Sequence, residues 1–267
     1  MHVHFLDPYR PLLSPVHSLD TRTKLILTLA FIITCSLTPI AAWPAYVLLV
    51  AMALCIEILS GLGLVYVLKR SGLALPFALA ALPVIFGTPG QPLFGVPFVD
   101  VVLYATLPGV ERFVSIVLKS WLSIQVAIVL AGSSPFPELL RAMRAVGTPK
   151  LLVAMFALMW RYLFVLVDEV LRLMRARAAR SGHGASRKAG LGGSLAWRAR
   201  VAGGMAGNLL LRAFERSERI YSSMLARGYD GEARSLPLPP LGSADRLTLA
   251  GGLCVLLALL VLGRWLG

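Results

Sequence analysis

Acidic side chains and cysteines are scarce in this 267-residue chain. Charged residues make up only 15% of it, with 13 Asp and Glu against 26 Lys and Arg, and mean hydropathy is +0.77. Soluble domains carry nearer a quarter charged residues. So little charge beside 57% hydrophobic residues cannot be spread through a soluble core without leaving apolar surface outside. A bilayer is the natural solvent. The three cysteines, Cys35, Cys55 and Cys254, each sit in an apolar run. An odd count without short spacing excludes a disulfide framework and a zinc-type cluster, so they read as small apolar filler. The first ten residues hold no apolar core, and no cleavable leader is expected there. No G-x-x-x-x-G-K-[ST] phosphate loop occurs anywhere, so any ATP energy must come from another chain. No His/Asp/Ser or metal constellation stands at useful spacing for an enzyme acting on lipid.

The chain does contain apolar runs of membrane length. A hydrocarbon core about 30 Å thick needs ~20 mostly apolar helical residues. Candidates cover residues 25–37, 44–59, 73–86, 113–131 and 247–266. The third is short, carries Pro76 and Pro83, and should be kinked or partly spanning. The expected fold is therefore all-α and polytopic, with about five transmembrane helices and a cytoplasmic module of amphipathic helices. Residues 1–132 form a four-span bundle, 133–245 the module, and 246–267 the last span. Residues 87–110, rich in Gly and Pro, read as an outer loop with a short extended piece near 98–104.

Charge is unevenly placed. From Pro135 to Arg246 the sequence holds about 18 basic and about 8 acidic residues, leaving 8 and 5 for the rest. Basic segments face the cytoplasm. Arg10, Arg22 and Lys24 before the first span, and Lys69 and Arg70 between the second and third, fit the same alternation. The N-terminus and module are expected inside and the C-terminus outside, in a plasma membrane of bacterial type.

Within the module, Ser134-Pro135 reads as an N-cap followed by proline at the first helical position, with Glu138 in the first turn and Gly147 as a left-handed stop. Thr148-Pro149 starts a long helix to about residue 179. Leu152, Phe156, Met159, Leu163, Leu166, Val170 and Leu173 form one apolar stripe. Arg161, Asp168, Arg172 and Arg175 lie elsewhere, with Asp168 and Arg172 an i,i+4 pair. As a transmembrane span this helix would place Arg161 at its centre, at a cost of roughly 2.5–3.5 kcal/mol. It reads instead as lying along or just under the membrane. Residues 180–193 read as a flexible link. A third amphipathic helix follows, with Leu210, Phe214, Ser217, Tyr221 and Met224 on one stripe. Two of these helices end alike, in Ala179-Arg180-Ser181 and Ala226-Arg227-Gly228. Either ending alone is explained by the helix dipole and the usual C′ glycine. Their repetition in one module points to two matched docking tips.

Several segments together resemble the T components of ECF transporters, in the CbiQ-type cobalt and nickel branch. They are His17-Ser18-Leu19-Asp20-Thr21-Arg22-Thr23-Lys24-Leu25, Pro137-Glu138-Leu139-Leu140-Arg141-Ala142-Met143 with Val146-Gly147-Thr148-Pro149, Arg161-Tyr162-Leu163 with Asp168-Glu169, and Arg216-Ser217-Glu218-Arg219 leading into Met224 to Tyr229. The resemblance covers nearly the whole chain. It implies a non-catalytic, energy-coupling subunit joining two cytoplasmic ABC ATPases to a substrate-binding membrane subunit of cobalt or nickel type, with room for a small accessory membrane subunit. ATP would sit on the ATPases and the transported Co2+ or Ni2+ on the substrate-binding subunit, so no cofactor or metal is expected on this chain. Ala179, Arg180, Ser181, Ala226, Arg227 and Gly228 would meet acidic groups of the ATPases. Ser181 stands where the family pattern has Gly, which makes Arg177 a competitor of Arg180. Arg161, Asp168 and Lys119 are candidate subunit contacts. Lys119 admits a second reading, snorkelling from a span end, and Glu57 lies closer still to its span end. His2 and His4 offer imidazoles but no further ligands. A T component for a vitamin-binding subunit, and a membrane-anchored binder of anionic lipid or nucleic acid, are the alternatives. The second lacks any nucleic-acid-binding motif.

Overall fold

A computed structural model describes residues 8–40, 42–90, 92–98, 101–180, 194–231 and 239–266. It is all-α apart from one hairpin. The described residues divide into two compact units, one formed by those from 8 to 146 together with 239–266, and one by those from 147 to 231.

The larger unit opens with a one-turn helix, α1 (Pro15–Ser18), capped by Ser14, whose Oγ accepts from the His17 amide at 3.2 Å. Asp20 takes an extended backbone and N-caps α2 (Thr21–Leu37). α3 (Trp43–Ser60) starts with Pro44 in its first turn and stops at Gly61, whose φ of 69° is the left-handed conformation glycine adopts without a Cβ clash. The next segment, Leu64–Gly87, is broken into α4 (Leu64–Ser71), a 3-10 turn at Gly72–Ala74, α5 (Leu75–Ala81) and α6 (Val84–Gly87). The breaks fall at the expected prolines, Pro76 and Pro83, which remove backbone donors from the helical ladder. The segment starts earlier than the sequence suggested, because the Lys69 and Arg70 turn is helical as well.

An antiparallel hairpin, β1 (Pro92–Phe98) and β2 (Val101–Thr106), fills the expected outer loop, with Phe98 opposite Val101. α7 (Leu107–Ser133) follows, N-capped by Thr106 Oγ1. α8 (Phe136–Ala145) packs against α2. Here the structure corrects the expected cap. Pro135, with φ −67° and ψ 142°, supplies the extended residue before the helix, and Ser134 ends α7 instead. Gly147 does adopt a positive φ, 102°. α11 (Ser243–Leu266) closes the unit against α2 and α3.

Its core joins α2, α3, α7 and α11 through Phe31, Cys35, Leu49, Ala53, Leu122, Val126 and Leu256. In lipid, helices gain nothing by hiding apolar surface from water and associate by close packing. The small residues Cys35 and Ala53, both fully buried, permit that approach. Cys55 and Cys254 are exposed on the outside of the bundle, and all three cysteines are free.

The smaller unit is a helix pair, α9 (Lys150–Arg180) and α10 (Leu195–Ala226). By length and composition alone, α3, the Leu64–Gly87 segment, α7, α9 and α11 could each cross a membrane. The count matches the expected five, but the membership differs. α2 has only 17 residues, about 25 Å of helix. α9 qualifies because Arg161 and Asp168 are diluted in a long apolar run.

Candidate coupling site

The Asp20-to-Lys24 motif ties four helix ends together. Asp20 Oδ1 accepts from the Arg22 amide at 2.8 Å, and the Arg22 guanidinium grips the same carboxylate at 2.8 Å through Nη2. Arg22 also donates to the Pro239 carbonyl at 2.6 Å. The Asp20 amide donates to Asp245 Oδ1 at the start of α11, at 2.9 Å. Thr21 Oγ1 donates to Glu138 Oε2 in the first turn of α8, at 3.0 Å. Lys24 Nζ, buried, donates to the Ser133 carbonyl at the end of α7, at 3.1 Å. The Arg22 guanidinium hydrogen-bonded to Asp20 holds that carboxyl below its ordinary value of 3.8, against the opposing effect of burial. The motif thus fixes where α2, α7, α8 and α11 meet.

Lys119 lies between two elements of the same bundle. Its Nζ donates to the Ser36 and Thr38 carbonyls at 3.1 and 2.7 Å, at the C-terminal end of α2. A cation there complements the helix dipole and satisfies carbonyls that the helix leaves open. The structure therefore shows an intramolecular role for a residue considered as a subunit contact. Glu57 differs from expectation as well. It does not snorkel: it is 1% exposed, and neither carboxylate oxygen has a hydrogen-bond partner among the described residues.

In the helix pair the organising residue is Glu169, part of the Asp168-Glu169 segment that carries the resemblance but without a role of its own until the second helix is placed beside it. Its carboxylate accepts from Arg212 Nη1 at 2.7 Å and lies 3.7 Å from Arg216 and 3.6 Å from Arg172. Arg172 thus turns to Glu169 rather than to the expected Asp168, which stays exposed. Further along α9, Arg177 lies over the Trp197 ring at 5.8 Å. Rising positions on α9 meet falling positions on α10, so the helices are antiparallel. A polar groove of about 590 Å³ runs from the Glu169 contacts toward Leu158, Arg161 and Tyr162 on α9 and toward Met224 and Arg227 on α10. A signal for this was present in the sequence. Arg212, Arg216 and Arg219 recur at spacings that put them on one helical face, which calls for an acid opposite.

The end of α10 fixes Arg227 at the cap. Gly228 takes φ 80°, the Gly228 amide donates to the Leu225 carbonyl at 2.9 Å, and the Tyr229 amide to the Met224 carbonyl at 3.0 Å. This is a Schellman closure. Gly228 is thereby explained by backbone geometry, while the Arg227 side chain remains exposed beside Ala226. Ala179 and Arg180 are exposed at the far end of α9. Ser181, like His2 and His4 and most of the 180–193 link, lies outside the described residues. Arg177 has an aromatic partner within the pair, which separates it from Arg180. The antiparallel pairing puts Arg180 and Arg227 at opposite ends, about 28 Å apart along α9 when Arg161 marks the Arg227 end. Arg161 is exposed, with its guanidinium 5.8 Å from the Tyr162 ring.

Among the described residues, no group of three or more His, Cys, Asp or Glu gathers as a metal site would require.

The family described as cobalt transport protein, CbiQ, matches residues 13–237. The energy-coupling factor transporter transmembrane protein EcfT of Heliobacterium modesticaldum is 30% identical, covering 95% of this chain and 96% of that protein. The protein of the same name from Thermosediminibacter oceani is 26% identical, covering 85% and 84%. The cobalt transport protein CbiQ of Rhodobacter capsulatus is 27% identical, covering 62% and 64%. With the family match spanning most of its length, this chain belongs to the CbiQ family as a transmembrane T component of the energy-coupling factor type.

Proposed function

We propose that this subunit carries ATP-driven motion from two cytoplasmic ABC ATPases to a substrate-binding membrane subunit, and that the cargo is Co2+ or Ni2+. The observation that carries the reading is the antiparallel helix pair with an exposed arginine at each end, Arg180 and Arg227, clasped near its middle by Glu169. A guanidinium presents a planar fork suited to a carboxylate. Two tips far apart on one antiparallel pair can follow two ATPases that approach on ATP binding. In this reading Ala179, Arg180 and Ser181 dock on one ATPase, and Ala226, Arg227 and Gly228 on the other. Arg161 and Asp168 are exposed for further subunit contacts, while Lys119 holds the bundle together. The helix pair, like the N-terminus, is cytoplasmic, with α9 along the membrane rather than across it, because Arg161 at the centre of a span would be costly. Transported ions are held by the substrate-binding subunit, and ATP by the ATPases.

The experiment is metal uptake and ATPase co-purification with the Arg227→Ala chain. Breaking a charge pair at a partly buried interface costs about 2–5 kcal/mol, enough to abolish assembly or uptake. Wild-type cobalt and nickel uptake with both ATPases still bound would refute the docking assignment. A second reading, a T component serving a vitamin-binding subunit, is favoured by one observation. The two relatives named EcfT cover most of this chain, and their names carry no metal. Mass spectrometry of the membrane partner retained by the tagged wild-type chain separates the two.

A further inference from the structure

Beyond its tips, the helix pair carries two features that docking on ATPases does not use. The first half of α9 leaves large apolar side chains exposed, among them Leu151, Leu152, Met155, Phe156 and Met159. The second is the charge of the adjoining groove. Its lining has five arginines, Arg161, Arg212, Arg216, Arg219 and Arg227, against two acids, Glu169 and Glu215. Glu169 engages Arg212 and Arg216, and Glu215 lies 3.6 Å from Arg219. Arg161 and Arg227 have no acidic partner among the described residues. The groove is therefore cationic by a surplus of three. Leu158, Arg161 and Tyr162 belong to its wall and continue directly from the apolar stretch.

An exposed apolar helical face flanked by arginines settles at the boundary of headgroups and acyl chains, and anionic lipid strengthens that placement. We infer that the α9–α10 groove binds the phosphate headgroup of an anionic phospholipid, with Arg161 and Arg219 as its principal contacts and the apolar stretch of α9 against the acyl chains. Arg227 is left to the ATPase. The inference rests on the interfacial placement of α9 given above, but not on the docking role of Arg227.

The test uses the full chain in nanodiscs of phosphatidylcholine with a minor fraction of phosphatidylglycerol, and counts retained lipids by native mass spectrometry. The wild type should hold phosphatidylglycerol in excess of its share in the disc. Arg161→Ala with Arg219→Ala should weaken that retention by about fivefold for each arginine removed. Arg161→Lys with Arg219→Lys should recover part of it. The charge-matched pair Arg198→Ala with Arg200→Ala, on the α10 segment before the groove, should leave it unchanged. Equal loss in the two alanine pairs would show bulk charge attraction and overturn the site. So would retention of inorganic phosphate in pure phosphatidylcholine discs with no preference for phosphatidylglycerol. ATPase co-purification is read on the same samples: its loss in the Arg161/Arg219 variant with phosphatidylglycerol retention unchanged would assign Arg161 to subunit contact alone and overturn the lipid site. Lipid selectivity should survive Arg227→Ala, so failure of the docking role is distinguishable from failure of this one.

Discussion

Replacing Asp20 should unfasten the junction of α2, α8 and α11 in graded steps. The Asp20 side chain does two things at once: it caps the Arg22 amide at 2.8 Å and pairs with the Arg22 guanidinium at 2.8 Å. The capping bond contributes about 1 kcal/mol. The ion pair is partly open to solvent, with side chains 14% and 25% exposed. That exposure limits its worth to about 1 kcal/mol. Asp20→Ala should therefore lose about 2 kcal/mol, a shift of roughly thirtyfold in the unfolding equilibrium. Asp20→Asn keeps a capping oxygen and should lose about half as much. The assay is reversible unfolding in detergent, with hydrogen exchange reporting the first turn of α2. Pairing each change with Arg22→Gln completes a double-mutant cycle, whose coupling should be about 1 kcal/mol for Asn. Equal losses for Ala and Asn, or a coupling of zero, would refute the division of roles. The acid range gives an independent check. Because the folded Asp20 carboxyl is held below 3.8, the unfolded chain takes up the proton first as pH falls. Its contribution is complete above about pH 4 and fades as pH drops through the lower, folded value. The Asn variant should lack this component, and an unchanged acid dependence would count against it.

Other perturbations test the remaining contacts. Glu169→Gln should broaden the distance between spin labels placed on α9 and α10, and Glu169→Arg with Arg212→Glu should partly restore it; an unchanged distribution in the single variant would remove Glu169 as the clasp. Lys119→Met leaves the Ser36 and Thr38 carbonyls without their ammonium and should cost about 2 kcal/mol, read as a lower thermal midpoint with faster exchange confined to the end of α2. Gly109→Ala would put a Cβ 2.4 Å from the Ile85 carbonyl oxygen, so α6 and α7 must separate at about 1–3 kcal/mol. Gly207→Ala on α10 meets nothing within 4 Å and should leave stability unchanged or raise it by up to about 1 kcal/mol, measured in the same melts.

The amino-acid sequence by itself determined what is local and periodic. Apolar runs announced a polytopic helical protein, because backbone groups in lipid must bond within their own segment. Pro76 and Pro83 announced the broken third segment, and Gly147 and Gly228 the stops, because each acts through its own backbone angles. The arginine endings were visible for the same reason. Tertiary structure alone decided which residues meet. Lys119 and the α2 carbonyls are about 80 positions apart, and Asp20 and Asp245 are 225 apart. No periodicity carries that information. The choice of Glu169 over Asp168 as partner of Arg172 turns on which carboxylate faces α10, a matter of how α9 is rotated about its own axis. Neighbours on one turn point to different sides, and only the second helix makes one of those sides an interior.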